Sequence, residues 1–307
     1  MKPLPAISSA DALATHWWRS PFVMRGDSAS WSIPTLEHVL TSALPRGRAE
    51  VYSEGLLTPN CAGPTKMGLK RALRRLARET PNLPSPYALI TLSPRHWHKL
   101  LQQLEQIPSL LFRVASPEDA CAGVLMPTNL TTQFESLLRW RMLALAGDAG
   151  AGFHMHVDFP ALSNYHVQLR GAKHWALCPP IGDDGSNDGS NEGEAYCHGA
   201  ADAFAPPNVG TNAECPAFDN ASCFDAVLRP GDGIFYPSLW YHQTRTLEKD
   251  TASLSRSLLT YGDAKHFAKG MRRICAMARV LDSHRLMCNA LDPCLRRLEM
   301  YVDVRTA

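Results

Sequence analysis

The sequence predicts a mainly β protein with flanking helices, and three observations carry that prediction. Residues 154–158, HMHVD, alternate polar and apolar side chains with the period of two that a strand imposes. NYHVQLRGAKHWALCPP (164–180) reads as two strand-like runs joined near Arg170-Gly171, and FDAVLRPGDGIFYPSLWYHQTRTL (224–247) and SLSRSLLTYG (253–262) continue the series. Helical patterns lie before and after this block.

In chain order, PFVMRG (21–26) reads as a short strand entering a turn. TKMGLKRALRRLARE (65–79) reads as a helix: Leu69, Leu73 and Leu76 share a face, and Lys and Arg fill the rest as a solvated basic face. YALITL (87–92) is a strand. SPRHWHKLLQQLEQI follows it as a helix, with Ser93 as N-cap and Pro94 at the first helical position. LLRWRMLALAG (137–147) is an apolar run leading into GFHMHVDF. Residues 181–223 are rich in Gly, Ser, Asn and Asp, with too little apolar content to pack, and are expected to form a mobile insertion. The tail reads as helices broken at Pro293. The expected organisation is an N-terminal α/β region (1–136) packed on a barrel (137–262, interrupted by 181–223), then a helical segment (263–307).

The bulk numbers are permissive. A chain of 307 residues, 45% hydrophobic, can bury a sizeable core in one large domain or two small ones. A net charge of +2 gives no argument for a nucleic acid or membrane partner. No apolar run approaches the roughly 18 to 20 residues of a membrane span, and the N-terminus lacks the basic-then-apolar pattern of a signal peptide. Nine cysteines without a CxxC pair are expected to be mostly reduced thiols, which suits a cytoplasmic or nuclear location. Cys197-His198, Cys215 and Cys223 have the spacing of no compact zinc site.

On a regular strand His154, His156 and Asp158 point one way and Met155 and Val157 the other. Imidazoles and a carboxylate on one face suit a divalent transition metal, and which of the three would bind is open at this level. Downstream, the turn at Pro230-Gly231-Asp232 feeds an apolar run that ends at Trp240-Tyr241-His242. In a cupin-type jelly roll, strands distant in sequence face each other across the mouth. His156, Asp158 and His242 then form a two-histidine, one-carboxylate set with open positions, as in non-haem Fe(II) oxygenases.

The ordered set His156, Asp158, Asn164, Gln168, Gly171, Lys173, Trp175 and Pro179-Pro180, followed by Gly231-Asp232, Pro237 and Trp240-Tyr241-His242, resembles the JmjC-type Fe(II)/2-oxoglutarate-dependent oxygenases. The likeness implies a double-stranded β-helix with Fe(II), 2-oxoglutarate and O2 as cofactors. It implies that His156, Asp158 and His242 hold iron, that Lys173 pairs with the distal carboxylate of 2-oxoglutarate, and that Asn164 bonds near its chelating end. Three departures stand out. Two extra residues separate Asp158 from Asn164. Phe153 stands where many members carry a hydroxyl residue, with Ser253, Ser255, Ser257 or Thr260 as possible substitutes. His154 adds a third histidine, expected near the ligands or facing substrate, or as an alternative ligand if the chain is a metal cupin without 2-oxoglutarate. A JmjC-like scaffold without turnover is a further alternative. The expected substrate is a protein side chain, with RNA or a histone methyl-lysine less favoured. Met271, Ile274, Met277 and Leu281 make the tail a candidate homodimer element.

Overall fold

The computed structural model describes residues 1–6, 20–26, 33–53, 56–57, 63–78, 86–103, 141–158, 161–180, 201–206, 210–215, 218, 222–260, 262–277 and 282–300. In chain order its strands are β1 (Lys2–Pro3), β2 (Phe22–Met24), β3 (Arg48–Tyr52), β4 (Leu56–Leu57), β5 (Thr65–Gly68), β6 (Tyr87–Thr91), β7 (Arg141–Ala146), β8 (Gly152–His156), β9 (Ser163–Arg170), β10 (Lys173–Cys178), β11 (Phe224–Leu228), β12 (Gly233–Tyr236), β13 (Tyr241–Thr246) and β14 (Thr251–Leu258). The helices are α1 (Ile33–Ala43), α2 (Leu69–Leu76), α3 (Pro94–Gln103), α4 (Ala264–Met277) and α5 (Asp282–Glu299).

Two sheets result, ordered β2-β12-β9-β14-β7-β6-β3-β5 and β1-β11-β10-β13-β8-β4. From β7 onward the chain crosses repeatedly between them, so that β12-β9-β14-β7 faces β11-β10-β13-β8. This is a double-stranded β-helix, a jelly roll. Strand β7 shows why its sequence is apolar without interruption after Arg141. Leu143 and Leu145 join Leu40, Leu69 and Leu100 of the helices on one face, while Met142 and Ala144 join Tyr87 and Phe153 on the other. A strand buried on both faces loses the apolar–polar alternation. Strands β6, β3 and β5 from the N-terminal region continue the same sheet beyond β7.

Several expectations need correction. The helix expected over 65–79 begins only at Leu69, because 65–68 pairs with β3, Glu50 opposite Lys66 and Arg48 opposite Gly68. Ser93 does cap α3, accepting from the backbone N–H of His96 at 3.2 Å. Helix α5 runs through Pro293 rather than ending there. Pro293 is exposed, so the carbonyl that loses its helical donor can be hydrated.

The expected mobile insertion is folded over much of its second half. Ala201, Ala203, Cys215, Phe218 and Cys223 are buried with Met155, Ala176 and Cys178 against the outer face of the smaller sheet. Hydrogen bonds replace the missing apolar content: Asn212 donates to the carbonyl oxygen of Asp202, and Asp202 accepts from Gln243 and Arg245 on β13. Residues 181–200 lie outside the described residues.

The thiols are not mostly reduced. Cys178 pairs with Cys223 and Cys275 with Cys288, and Cys215 and Cys294 are disulfide-bonded too. The expectation of a cytoplasmic or nuclear location rested on reduced thiols and loses that support. Cys215 and Cys223 are thereby unavailable to zinc; Cys197 and His198 lie outside the described residues. Among the described residues no helix is long and apolar enough to cross a membrane. Met271 is buried within its own chain, beside Leu162, Leu259, Phe267 and Leu295. The Ile274, Met277 and Leu281 side chains lie outside the described residues.

Candidate metal centre

The pairing of β8 with β13 sets the site. His156 lies opposite His242, but the next partners are Phe153 with Thr244 and Gly152 with Arg245. Strand β8 therefore uses one more residue than β13 over this interval, which is a β-bulge. Gly152 permits the close approach, since a Cβ there would overlap the Thr244 carbonyl oxygen. The bulge resets the facing of the side chains. Phe153 and His156, three apart, both line a cavity of ≈ 270 Å³ between the sheets, and so do Val157 and Asp158. His154 does not line it. The expectation that His154, His156 and Asp158 share one face fails for His154, and Val157, expected to face away from the ligands into packing, lines the cavity with them.

His156, Asp158 and His242 converge, each offering a ligand atom within 4.8 Å of the others. Asp158 Oδ1 lies 3.6 Å from His156 Nε2, and Oδ2 lies 3.4 Å from His242 Nε2. Backbone carbonyls fix both rings: His156 Nδ1 is 2.8 Å from the carbonyl oxygen of His154, and His242 Nδ1 is 3.1 Å from that of Trp240. A carbonyl only accepts, so each Nδ1 carries a proton and each Nε2 faces the site. Burial pulls His156 down, but Asp158 outweighs it and holds the ring above the usual histidine range. His154 thus contributes its carbonyl, while its half-buried ring lies 5.7 Å from that of His156. Burial pushes the Asp158 carboxyl up, but the neighbouring His242 and His156 outweigh it and hold it below the usual carboxylate range. Burial, then the proximity of His156, lowers His242 to about 4, which keeps it neutral at physiological pH.

Around the triad lies a closed polar network. Asn164 donates to Asp158 Oδ2 at 2.7 Å and accepts from Ser257 at 2.7 Å. The Tyr236 hydroxyl donates to the same Oδ2 at 2.9 Å, 3.0 Å from His166 Nε2. Asn164, expected to bond near the cosubstrate, is engaged with the carboxylate ligand itself.

The other end of the cavity is different. Lys173, 3% exposed, donates to the Tyr87 hydroxyl at 3.0 Å and to Ser253 at 3.2 Å. Both partners are neutral, and burial lowers the ammonium to about 7. Trp175 lines the same space, and its buried indole Nε1–H has no hydrogen-bond partner. Of the hydroxyls weighed from sequence, only Ser253 reaches Lys173; Ser255 donates to the Met142 carbonyl oxygen and Thr260 to Asp263.

Tyr87, Tyr236 and His166 escaped the sequence reading. Tyr87 opens a strand paired with β7 across Tyr87 and Ala146, a contact between segments far apart in the chain. His166 carried a signal, two residues after Asn164 on the same strand face.

A jelly roll with a two-histidine, one-carboxylate cluster at its mouth defines the class: a cupin-like protein whose triad is compatible with metal binding. The family model described as cupin-like domain matches residues 64–256, more than half of the chain, and the chain belongs to this JmjC/cupin-like family. No curated protein matches the sequence.

Proposed function

We propose that the chain is an Fe(II)- and 2-oxoglutarate-dependent oxygenase of JmjC type that hydroxylates a protein side chain, with methyl-lysine or RNA as less favoured targets. The observation that carries this reading is Lys173. A buried ammonium bonded only to hydroxyls is costly unless an anion joins it, and it shares a cavity with the His156–Asp158–His242 cluster. Lys173, with the Trp175 N–H in the same cavity, would hold one carboxylate of a dicarboxylic cosubstrate, and the cluster would hold its other end.

With bound Fe(II), 2-oxoglutarate and O2, the chemistry supplied is oxidation of a substrate C–H bond, with succinate and carbon dioxide as by-products. The residues of the chain do the rest. His156 and His242 would hold the metal through Nε2, His156 giving up any proton it carries there, and Asp158 supplies the negative charge and is held by Asn164. Met142, Ala144 and Phe153 line the space between the ends with apolar surface and limit water. Phe153, stacked on His156 with ring centroids 5.2 Å apart, occupies the position where a hydroxyl was expected, and Tyr87 and Ser253 supply hydroxyls beside Lys173 instead.

The test is succinate formation from 2-oxoglutarate with Fe(II). Turnover by the wild type that His156→Ala abolishes is expected. Binding of metal without any effect of 2-oxoglutarate would favour a metal cupin, and binding of neither would favour a scaffold.

A further inference from the structure

The two oxygens of Asp158 are not equivalent. Oδ2 accepts from Asn164 Nδ2 at 2.7 Å and from the Tyr236 hydroxyl at 2.9 Å and lies 3.4 Å from His242 Nε2, whereas Oδ1 lies 3.6 Å from His156 Nε2. Two hydrogen-bond donors occupy Oδ2, as many as a carboxylate oxygen has lone pairs. Tyr236 has one proton, and it goes to Asp158; its oxygen must therefore accept from His166 Nε2, 3.0 Å away. That fixes the His166 tautomer and yields a directed chain, His166 N–H to Tyr236 O–H to Asp158 Oδ2. His242 Nε2 also lies 3.3 Å from the Tyr236 oxygen. Its proton is on Nδ1, facing the Trp240 carbonyl, so Nε2 donates nothing to Tyr236 and stays open toward the site. Tyr236 is buried and fixed on β12, where its residue lies opposite Asn164 on β9. The two donors to Oδ2 are thus a directly opposed cross-strand pair.

We propose that Tyr236, oriented by His166, is a positioning residue that works with Asn164 to occupy Asp158 Oδ2, leaving Oδ1 as the oxygen offered to the metal. This rests on the metal reading above but not on 2-oxoglutarate or turnover. The arrangement makes the carboxylate a one-oxygen ligand and preserves the open positions that a cosubstrate needs. It also gives His166 of β9 a defined task, since partners that orient a ligand tune its metal affinity.

The test is Co(II) titration of the purified full chain, followed by its visible spectrum and by competition for affinity, with apo melting temperature measured alongside. Tyr236→Phe keeps the ring and removes the donor. It is expected to weaken Co(II) binding by about 10- to 100-fold and to shift the spectrum toward higher coordination as Oδ2 becomes available, in a protein that still folds. His166→Phe is expected to produce a smaller loss in the same direction that vanishes in the Tyr236→Phe background, because His166 acts through Tyr236. Should Tyr236→Phe fail to fold, the His166→Phe spectrum carries the test. Unchanged affinity and spectrum in both variants would overturn the proposal while leaving the metal site standing. A Tyr236-dependent phenolate charge-transfer band with Fe(III) would overturn it in favour of direct ligation. A wild type that binds no Co(II) would overturn both this proposal and the metal reading.

Discussion

The two ends of the barrel cavity are built on opposite principles. At the metal end every donor is answered: carbonyls orient His156 and His242, and Asn164 and Tyr236 hold Asp158. At the lysine end no carboxylate pairs with Lys173 among the described residues: it donates to Tyr87 and Ser253 and lies 5.4 and 5.7 Å from the Tyr87 and Trp175 ring centroids. A fully satisfied network gives a rigid, preset geometry. An unsatisfied buried cation stores unfavourable energy that an arriving anion can release. The contrast teaches that the fold has prepared one end for geometry and the other for charge.

The largest expected effect comes from removing a ligand at the preset end. His242→Ala should weaken Co(II) or Mn(II) binding by more than about 100-fold, since loss of a direct ligand should exceed the loss expected for an outer partner. A calorimetric titration checks this, and retained affinity would remove His242 from the site.

Next is the charge end. A Lys173 ammonium at about 7 when folded and 10.5 when unfolded binds fewer protons folded than unfolded between those values. Stability of the ligand-free protein should therefore rise as pH increases from 7 toward 10.5, and the full cost of burial is present below pH 7. At 1.36 kcal/mol per pKa unit, the cost is at most on the order of 5 kcal/mol. Lys173→Met should raise the ligand-free melting temperature and flatten this slope, and denaturation at several pH values reads both. If Lys173→Met destabilises the protein instead, the lysine end is not under charge strain.

A third expectation concerns the strand both ends share. Strand β10 starts at Lys173, and its Leu177 lies opposite His242, next to Cys178. Replacing Cys178 and Cys223 by Ser, which opens a link across 45 residues, should cost about 2–4 kcal/mol. It should disturb metal binding more than binding at Lys173, and chemical denaturation with metal titration compares the two. Ser253→Ala should have the smallest effect, about 1 kcal/mol, seen as a small loss of stability that leaves metal affinity unchanged.

Much of this was legible in the sequence because it is local. The alternation around His156 and Asp158, the turn at Gly171 and the run ending at His242 each sit within one or two strands. What was not legible depends on pairing between distant strands. The bulge that turns His154 away arises where β8 meets β13, and nothing within HMHVD announces it. Tyr87 reaches Lys173 only because β6 extends the sheet beyond β7. The folding of the described part of 201–223 was hidden because it rests on the Asn212 and Asp202 hydrogen bonds and on disulfides more than on apolar content. Composition reads burial of apolar surface well and specific polar closure poorly.

On this reading the metal end and the lysine end bind one molecule between them. Calorimetric titration of 2-oxoglutarate into Mn(II)-loaded protein tests it most directly. Saturable binding that requires the metal and is lost in both His156→Ala and Lys173→Met is expected. Binding that survives Lys173→Met, or no binding to the metal-loaded wild type, would contradict it.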